Sequence, residues 1–141
     1  MITKIISGGQ TGADRGGLDA AIHCDLPHGG WCPRGRKAED GIIPVEYHLT
    51  EMLTTAYLPR IQANVIDSDA TSIFTYGPLS GGSLQTVTYA YHLEKPYHDV
   101  DLLRTTRWRA VEEIMRWLAG DEELNDYDEY VDCPPPLACV L

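Results

Sequence analysis

The sequence predicts an α/β fold, a mostly parallel sheet flanked by helices. Two observations carry this. Strand-like apolar runs alternate with helical stripes along the chain. Two of those runs also open directly into glycine-rich turns followed by helical patterns, the arrangement of a βα unit.

The elements follow in order. Ile2 to Ile6 reads as a buried strand, and Ser7-Gly8-Gly9-Gln10-Thr11-Gly12 as the first turn. Leu18, Ala21 and Ile22 fall at helical spacing and predict a helix from about Asp14 to Cys24. Asp25 to Gly30 is turn chemistry, and Trp31 ends a short second strand. Cys32 to Gly41 reads as a loop, the most basic stretch of the chain, with a short extended piece at 48–53. Leu58, Ile61 and Val65 mark a helix over about Thr55 to Ile66, with Pro59 tolerable in its first turn. Thr71 to Tyr76 is the next strand, and Ser80-Gly81-Gly82-Ser83 is the second turn, before a helix marked by Leu84, Val87 and Tyr91. Lys95 to Leu102 reads as extended. Trp108, Val111, Met115 and Leu118 give the clearest helical stripe, with an i,i+4 pair of Glu112 and Arg116, and Gly120 ends that helix. Residues 121–136 read as an acidic, proline-rich loop, and Leu137 to Leu141 as a last strand. The length suits one domain, residues 1–141.

Charge and composition narrow the function. The formal charge is −10, but 121–141 hold seven acids and no Lys or Arg, which leaves 14 acids against 11 bases, net −3, in the rest. An acidic chain without a basic stripe argues against a dedicated nucleic-acid binder. No run is long enough to span a bilayer and no N-terminal apolar core resembles a signal peptide, so the cytoplasm is the expected compartment and no membrane partner is expected. Cys24, Cys32, Cys133 and Cys139 have no C-x-x-C spacing and read as free thiols, and no metal site is predicted. His23, His28, His48, His92 and His98 show no partner pattern. Neither a Gly-x-Ser-x-Gly elbow nor a Gly-x-x-x-x-Gly-Lys-Ser/Thr loop is present.

In parallel sheets, ligands bind outside the carboxyl ends of the strands, where strand order reverses. Both glycine turns follow strands, so both are expected at that edge, flanking one cleft for a small anionic ligand. Gly8, Gly9 and Gly12 are candidates for backbone that approaches the ligand closely. Gln10, Thr11 and Asp14 would stand at the mouth, with Thr11 on a phosphate and Asp14 either capping the helix or bonding the ligand. Arg34, Arg36 and Lys37 are candidates for anion contacts, Arg34 first, against a plain solvated loop. Asp67, Ser68 and Asp69 precede the central strand; a divalent ion there would need further ligands, and capping or a hydrogen bond to the opposite turn is the simpler role, with Ser68 and Asp69 kept as site candidates. Gly81, Gly82, Ser83 and Thr86 form the second anion turn.

These blocks resemble a known family. Ser7 to Asp14 resembles the opening motif of the putative molybdenum carrier proteins, in the circularly permuted branch of the SLOG group of Rossmann-like nucleotide-binding domains. Gly30 to Pro44, Asn64 to Thr71, Gly81-Gly82-Ser83 with Thr86, and Lys95-Pro96 match its further blocks, so the resemblance covers nearly the whole chain. It implies a Rossmann-like, doubly wound sheet in three α/β/α layers, and a nucleotide-like or pterin-phosphate ligand over the glycine turns. The family is named for similarity to algal proteins that bind molybdenum cofactor. The related phosphoribohydrolases carry Pro-Gly-Gly-x-Gly-Thr-x-x-Glu; here no Glu follows the second turn before Glu94, which argues against that hydrolysis. The family's Asn-x-Ala-Gly-type loop after the last strand is not among these 141 residues; if Leu141 is the natural end, one wall of the site is expected to be missing.

The expected function is therefore binding or carriage of a phosphorylated small molecule, molybdenum cofactor or a nucleotide, without turnover. The alternative is an enzyme acting on a nucleotide or nucleotide derivative, with Asp14, Asp69 and Arg34 as acid, base and electrostatic stabiliser. A homo-oligomer is the other expected partner, through the apolar face of Trp108, Met115 and Trp117.

Overall fold

A computed structural model of the chain describes residues 1–120 and the backbone of 139–140. The acidic, proline-rich stretch expected at 121–136 lies outside the described residues.

Among the described residues there are four helices and nine short strands, five of the strands consecutive between the first two helices. Strands β1 (Ile5–Ile6), β2 (His28–Gly29), β7 (Ala70–Thr75), β8 (Tyr97–Asp101) and β9 (Cys139–Val140) form one sheet in the order β2-β1-β9-β7-β8. Every pairing in it is parallel. β9 is the expected last strand, and it joins the two halves: Cys139 is level with Ile5 on one side and with Ala70 on the other. The sheet is buried where it matters, with Ile6 and Val100 nearly inaccessible and all of β7 except the half-buried Phe74 buried.

Helix α1 (Ala13–His23) follows β1 and buries Leu18 and Ala21. Helix α3 (Gly81–His92) follows β7 and starts at the glycines of the second turn, ahead of the apolar pattern that marked it. Helix α2 (Tyr57–Asp67) precedes β7, with Pro59 in its first turn. Helix α4 (Arg107–Ala119) starts at Thr106, whose hydroxyl accepts the Arg109 amide, and ends at Gly120 in the left-handed conformation (φ 76°) that a glycine adopts without a Cβ clash. Its apolar stripe divides. Trp117 is half-buried and stacks on His98 at 5.4 Å, while Trp108 (84% exposed), Val111 and Met115 face outward.

The basic loop has more structure than expected. Strands β4 (Lys37–Ala38) and β5 (Gly41–Ile42) make a small antiparallel hairpin, and β3 (Trp31–Cys32) pairs in parallel with β6 (Thr50–Glu51), the extended piece foreseen at 48–53. Around it Leu18, Cys32, Ile43 and Tyr47 form a small buried core. Among the described residues, no helix is long and apolar enough to cross a membrane.

Candidate functional site

The first glycine turn leaves β1 at Ser7, which is buried and holds the turn's shape. Its hydroxyl donates to the Asp14 carbonyl (2.9 Å) and accepts from the Gly9 amide (3.4 Å). Two of the three glycines also leave room for side chains of the protein itself. A Cβ on Gly8 would fall 1.5 Å from Nη1 of Arg60, and one on Gly9, at φ +73°, would fall 2.5 Å from Leu49 Cδ1. Gly12, at φ +86°, is the residue before α1 and has nothing near its Cβ position, so its glycine answers to backbone conformation alone.

Arg60 was not foreseen. It sits in the first turns of α2, with its side chain 10% exposed. Its Nη1 lies 3.3 Å from Asp14 Oδ2, and its guanidinium stands 5.7 Å from the ring centre of Tyr57. Its Nε is buried and has no hydrogen-bond partner among the described residues. An unpaired donor on a buried cation is costly to maintain. Asn64, one helical turn on, clamps Trp31 at both backbone atoms: the Trp31 amide donates to Oδ1 (2.7 Å), and Nδ2 donates to the Trp31 carbonyl (3.0 Å). The signal was present as Arg60 and Asn64 four residues apart, beside Ile61 and Val65, which places two polar side chains inside a buried helix face.

These elements line an open cleft of about 260 Å³. The first turn supplies Gln10, Thr11 and Asp14; the second supplies Gly82, Ser83 and Thr86; Arg60 closes one side, and Ile61, Ile73 and Phe74 make an apolar wall. The cleft lies toward the carboxyl ends of β1 and β7, where the strand order reverses. Helices α1 and α3 bring first-turn residues to it without a side-chain cap, whereas α4, which contributes no described residue to the cleft, has one. Uncapped first-turn amides are the donors a helix offers an anion. The second turn is held from behind by Asp101, whose Oδ1 accepts the amides of Gly77 (2.8 Å) and Leu103 (2.9 Å). Those two amides hold its carboxyl below the usual carboxylate range.

Asp14 does not cap α1. The residue at the cap position is Gly12, and the Asp14 carboxylate turns back to accept the Gln10 amide (3.0 Å) and to pair with Arg60. Burial pushes its carboxyl above the ordinary range, against the lowering effect of Arg60 and of the Gln10 and Gly8 amides. The mouth is covered by the hairpin. Gln10 Nε2 donates to the Lys37 carbonyl (2.9 Å), Thr11 Oγ1 to Glu39 (3.3 Å), and Arg15 makes a two-pronged pair with Asp40.

The remaining candidates stand elsewhere. Arg36 is committed to structure: Nε donates to the Ile43 carbonyl, Nη1 to that of Leu49, and Nη2 to those of Pro44 (2.7 Å) and Tyr47 (2.9 Å). Four carbonyls leave its guanidinium little to offer an anion. Arg34 is exposed and is not among the residues lining the cleft. Ser68 is buried and donates to the Val65 carbonyl (2.9 Å) at the end of α2. Ser68 and Asp69 both precede Ala70, the first residue of β7, and so lie at the amino edge of the sheet, opposite the cleft. Asp67 accepts from Trp31 Nε1 (2.7 Å). Asp14, Asp69 and Arg34 are therefore not assembled as one catalytic set. Gly81, at φ +50°, opens α3 without lining the cleft.

The family model of the circularly permutated YpsA SLOG family matches residues 5–125, which includes both turns and α2. The chain belongs to that family. A similar solved structure is the crystal structure, at 1.45 Å, of a protein described as Putative molybdenum carrier protein, from Syntrophus aciditrophicus SB. It is 50% identical, with a TM-score of 0.77 over 80% of this chain and 72% of that one. No curated protein matches the chain. For this SLOG member, the shared fold places both glycine turns and Arg60 within the matched span.

Proposed function

We propose that this SLOG protein binds or carries a phosphorylated small molecule, molybdenum cofactor or a nucleotide, with its phosphate in the cleft between the two glycine turns. The observation that carries the reading is Arg60: a buried cation whose Nε has no partner among the described residues, forming a wall of a cleft lined by first-turn residues of the uncapped helices α1 and α3. A phosphate would accept from Arg60 and from the Gly82 and Ser83 amides, while a flat ring would pack on Ile61, Ile73 and Phe74. The description of the Syntrophus protein as a molybdenum carrier supports the same reading. Site membership here is Gln10, Thr11, Asp14, Arg60, Gly82, Ser83 and Thr86.

The opposed crossovers from β1 to β2 and from β7 to β8, if both right-handed, would put α1 and α3 on opposite faces, as in a three-layer doubly wound sheet. The reading includes action in the cytoplasm, one folded unit over residues 1–141, and pairing of copies through the outward face of α4, which sedimentation would test.

The test is titration of purified protein with pterin phosphates and nucleoside monophosphates. Binding that an Arg60→Met variant loses by tenfold or more is the expected result; no binding of any of them at millimolar concentration would overturn it. The enzyme reading now rests on Asp14 alone, whose raised carboxyl in the cleft suits a general acid. A product scan over nucleoside monophosphates and dinucleotides that stays blank would retire it.

A further inference from the structure

The Asp14 carboxylate already does, inside the protein, what a bound oxyanion would do. Its Oδ2 accepts the Gln10 amide at 3.0 Å and faces Arg60 Nη1 at 3.3 Å, and the Gly8 amide also favours its charge. These donors belong to the same glycine turn and the same cation that line the cleft. A ligand oxyanion and an ionised Asp14 would therefore compete for one set of donors, a few ångströms apart in a part-buried place. Two like charges so arranged do not both stay ionised.

We propose that an oxyanion enters this cleft together with one proton, which comes from solvent and is held on the Asp14 carboxyl. This deepens the reading above and rests on the cleft being an oxyanion site. The groups that face Asp14 are consistent with it. Arg60, from α2, is the charged side chain in contact; Gln10, from the turn, is neutral; and Arg15, its neighbour on α1, is engaged by Asp40. Arg60 keeps its charge throughout, so the proton has one acceptor. Burial of Asp14 prepares the neutral form by already penalising the charged one.

The sign follows. Below the Asp14 midpoint of the free protein, the carboxyl is already neutral and affinity is independent of pH. Above it, each bound oxyanion must bring a proton, and affinity falls up to tenfold per pH unit until the midpoint of the complex is passed. The probe is sodium sulfate, which keeps both charges across the range and so contributes no proton of its own. It is titrated at constant ionic strength from about pH 4 to about pH 9, with the Gly82 and Ser83 amide signals as the readout.

Wild-type protein is expected to show the slope, and Asp14→Asn to bind sulfate at high pH about as tightly as wild type does at low pH, with the slope gone. Sulfate binding by wild type that does not vary with pH would overturn the inference and leave the proposed function standing. A slope that persists in Asp14→Asn would do the same. Should that variant fail to fold, the carboxyl carbon signal of Asp14 in wild type decides: its titration midpoint must rise on adding sulfate, and an unchanged midpoint refutes the proposal. If sulfate does not bind at any pH, the cleft is not an oxyanion site, and the proposed function falls with the inference.

Discussion

The guanidinium of Arg60 occupies the space that a side chain on Gly8 would need. An ideal Cβ at Gly8 lies 1.5 Å from Nη1 and 2.7 Å from Cζ, while Asp14 Oδ2 stands 3.0 Å away on the same side. The glycine that opens the turn and the cation that answers it come from β1's loop and from α2, 52 residues apart in the chain. Gly8→Ala is expected to push Arg60 off Asp14, at a stability cost of about 1–3 kcal/mol. Its diagnostic effect is on ligand affinity, which should fall as far as in Arg60→Met. A Gly8→Ala protein that binds as wild type does would show that Arg60 reaches the ligand from another position.

Gly30 is the least replaceable glycine. At φ +132° its Cβ would come within 2.1 Å of the Ser7 carbonyl oxygen and 2.8 Å of the Ser7 nitrogen, both backbone atoms that cannot swing aside. Steric overlap and the strained conformation together predict a loss of at least about 3 kcal/mol for Gly30→Ala. Denaturant midpoints measure it.

Arg36 should behave as a brace rather than as a ligand contact. Arg36→Met removes a donor from four carbonyl oxygens, of which those of Pro44 and Tyr47 still accept the amides of Tyr47 and Leu49, and a loss of roughly 1–3 kcal/mol is expected. Arg36→Lys should recover little, because one ammonium cannot reach carbonyls spread over Ile43, Pro44, Tyr47 and Leu49. Ligand affinity of the folded fraction should stay within about twofold of wild type, well short of the roughly 1.4 kcal/mol that a tenfold change represents.

His98 predicts loss of stability in acid. Burial lowers its pKa, while Glu113 and Asp99 pull the other way. The unfolded chain therefore binds a proton at a higher pH than the folded one. The stability contribution is present above about pH 6.5 and is lost as pH falls through the lower, folded-state value. The buried Nε2 of His98 and the Nε1 of Trp117, both without hydrogen-bond partners among the described residues, sit in the same stack. His98→Phe keeps the ring against Trp117 and removes the titration. Its midpoint of unfolding should vary less with pH on the acid side, read by Trp fluorescence.

Much of this fold is legible from local pattern. The runs at Ile5–Ile6 and Ala70–Thr75, the helix stripes and the turns at Gly8–Gly12 and Ser80–Ser83 are short-range features, and each appears within a few residues of its expected place. The hairpin at Lys37–Ile42 was missed because its two-residue strands are too short for alternation to register. Asp14 was misread as a possible cap because Asp near a helix start usually is one; here Gly12 takes the cap position and Arg60 draws the carboxylate back.

The sequence by itself determined the order of βα units and the two backbone turns, since glycine spacing and apolar period depend only on neighbours along the chain. Tertiary structure alone decided which charges belong to the cleft. It turned Arg36 inward to four carbonyls, left Ser68 and Asp69 at the far edge of the sheet, and set Arg60 against Asp14 across 46 residues. A desolvated ion pair is a property of distance in space and of low local dielectric, and neither is written in sequence spacing.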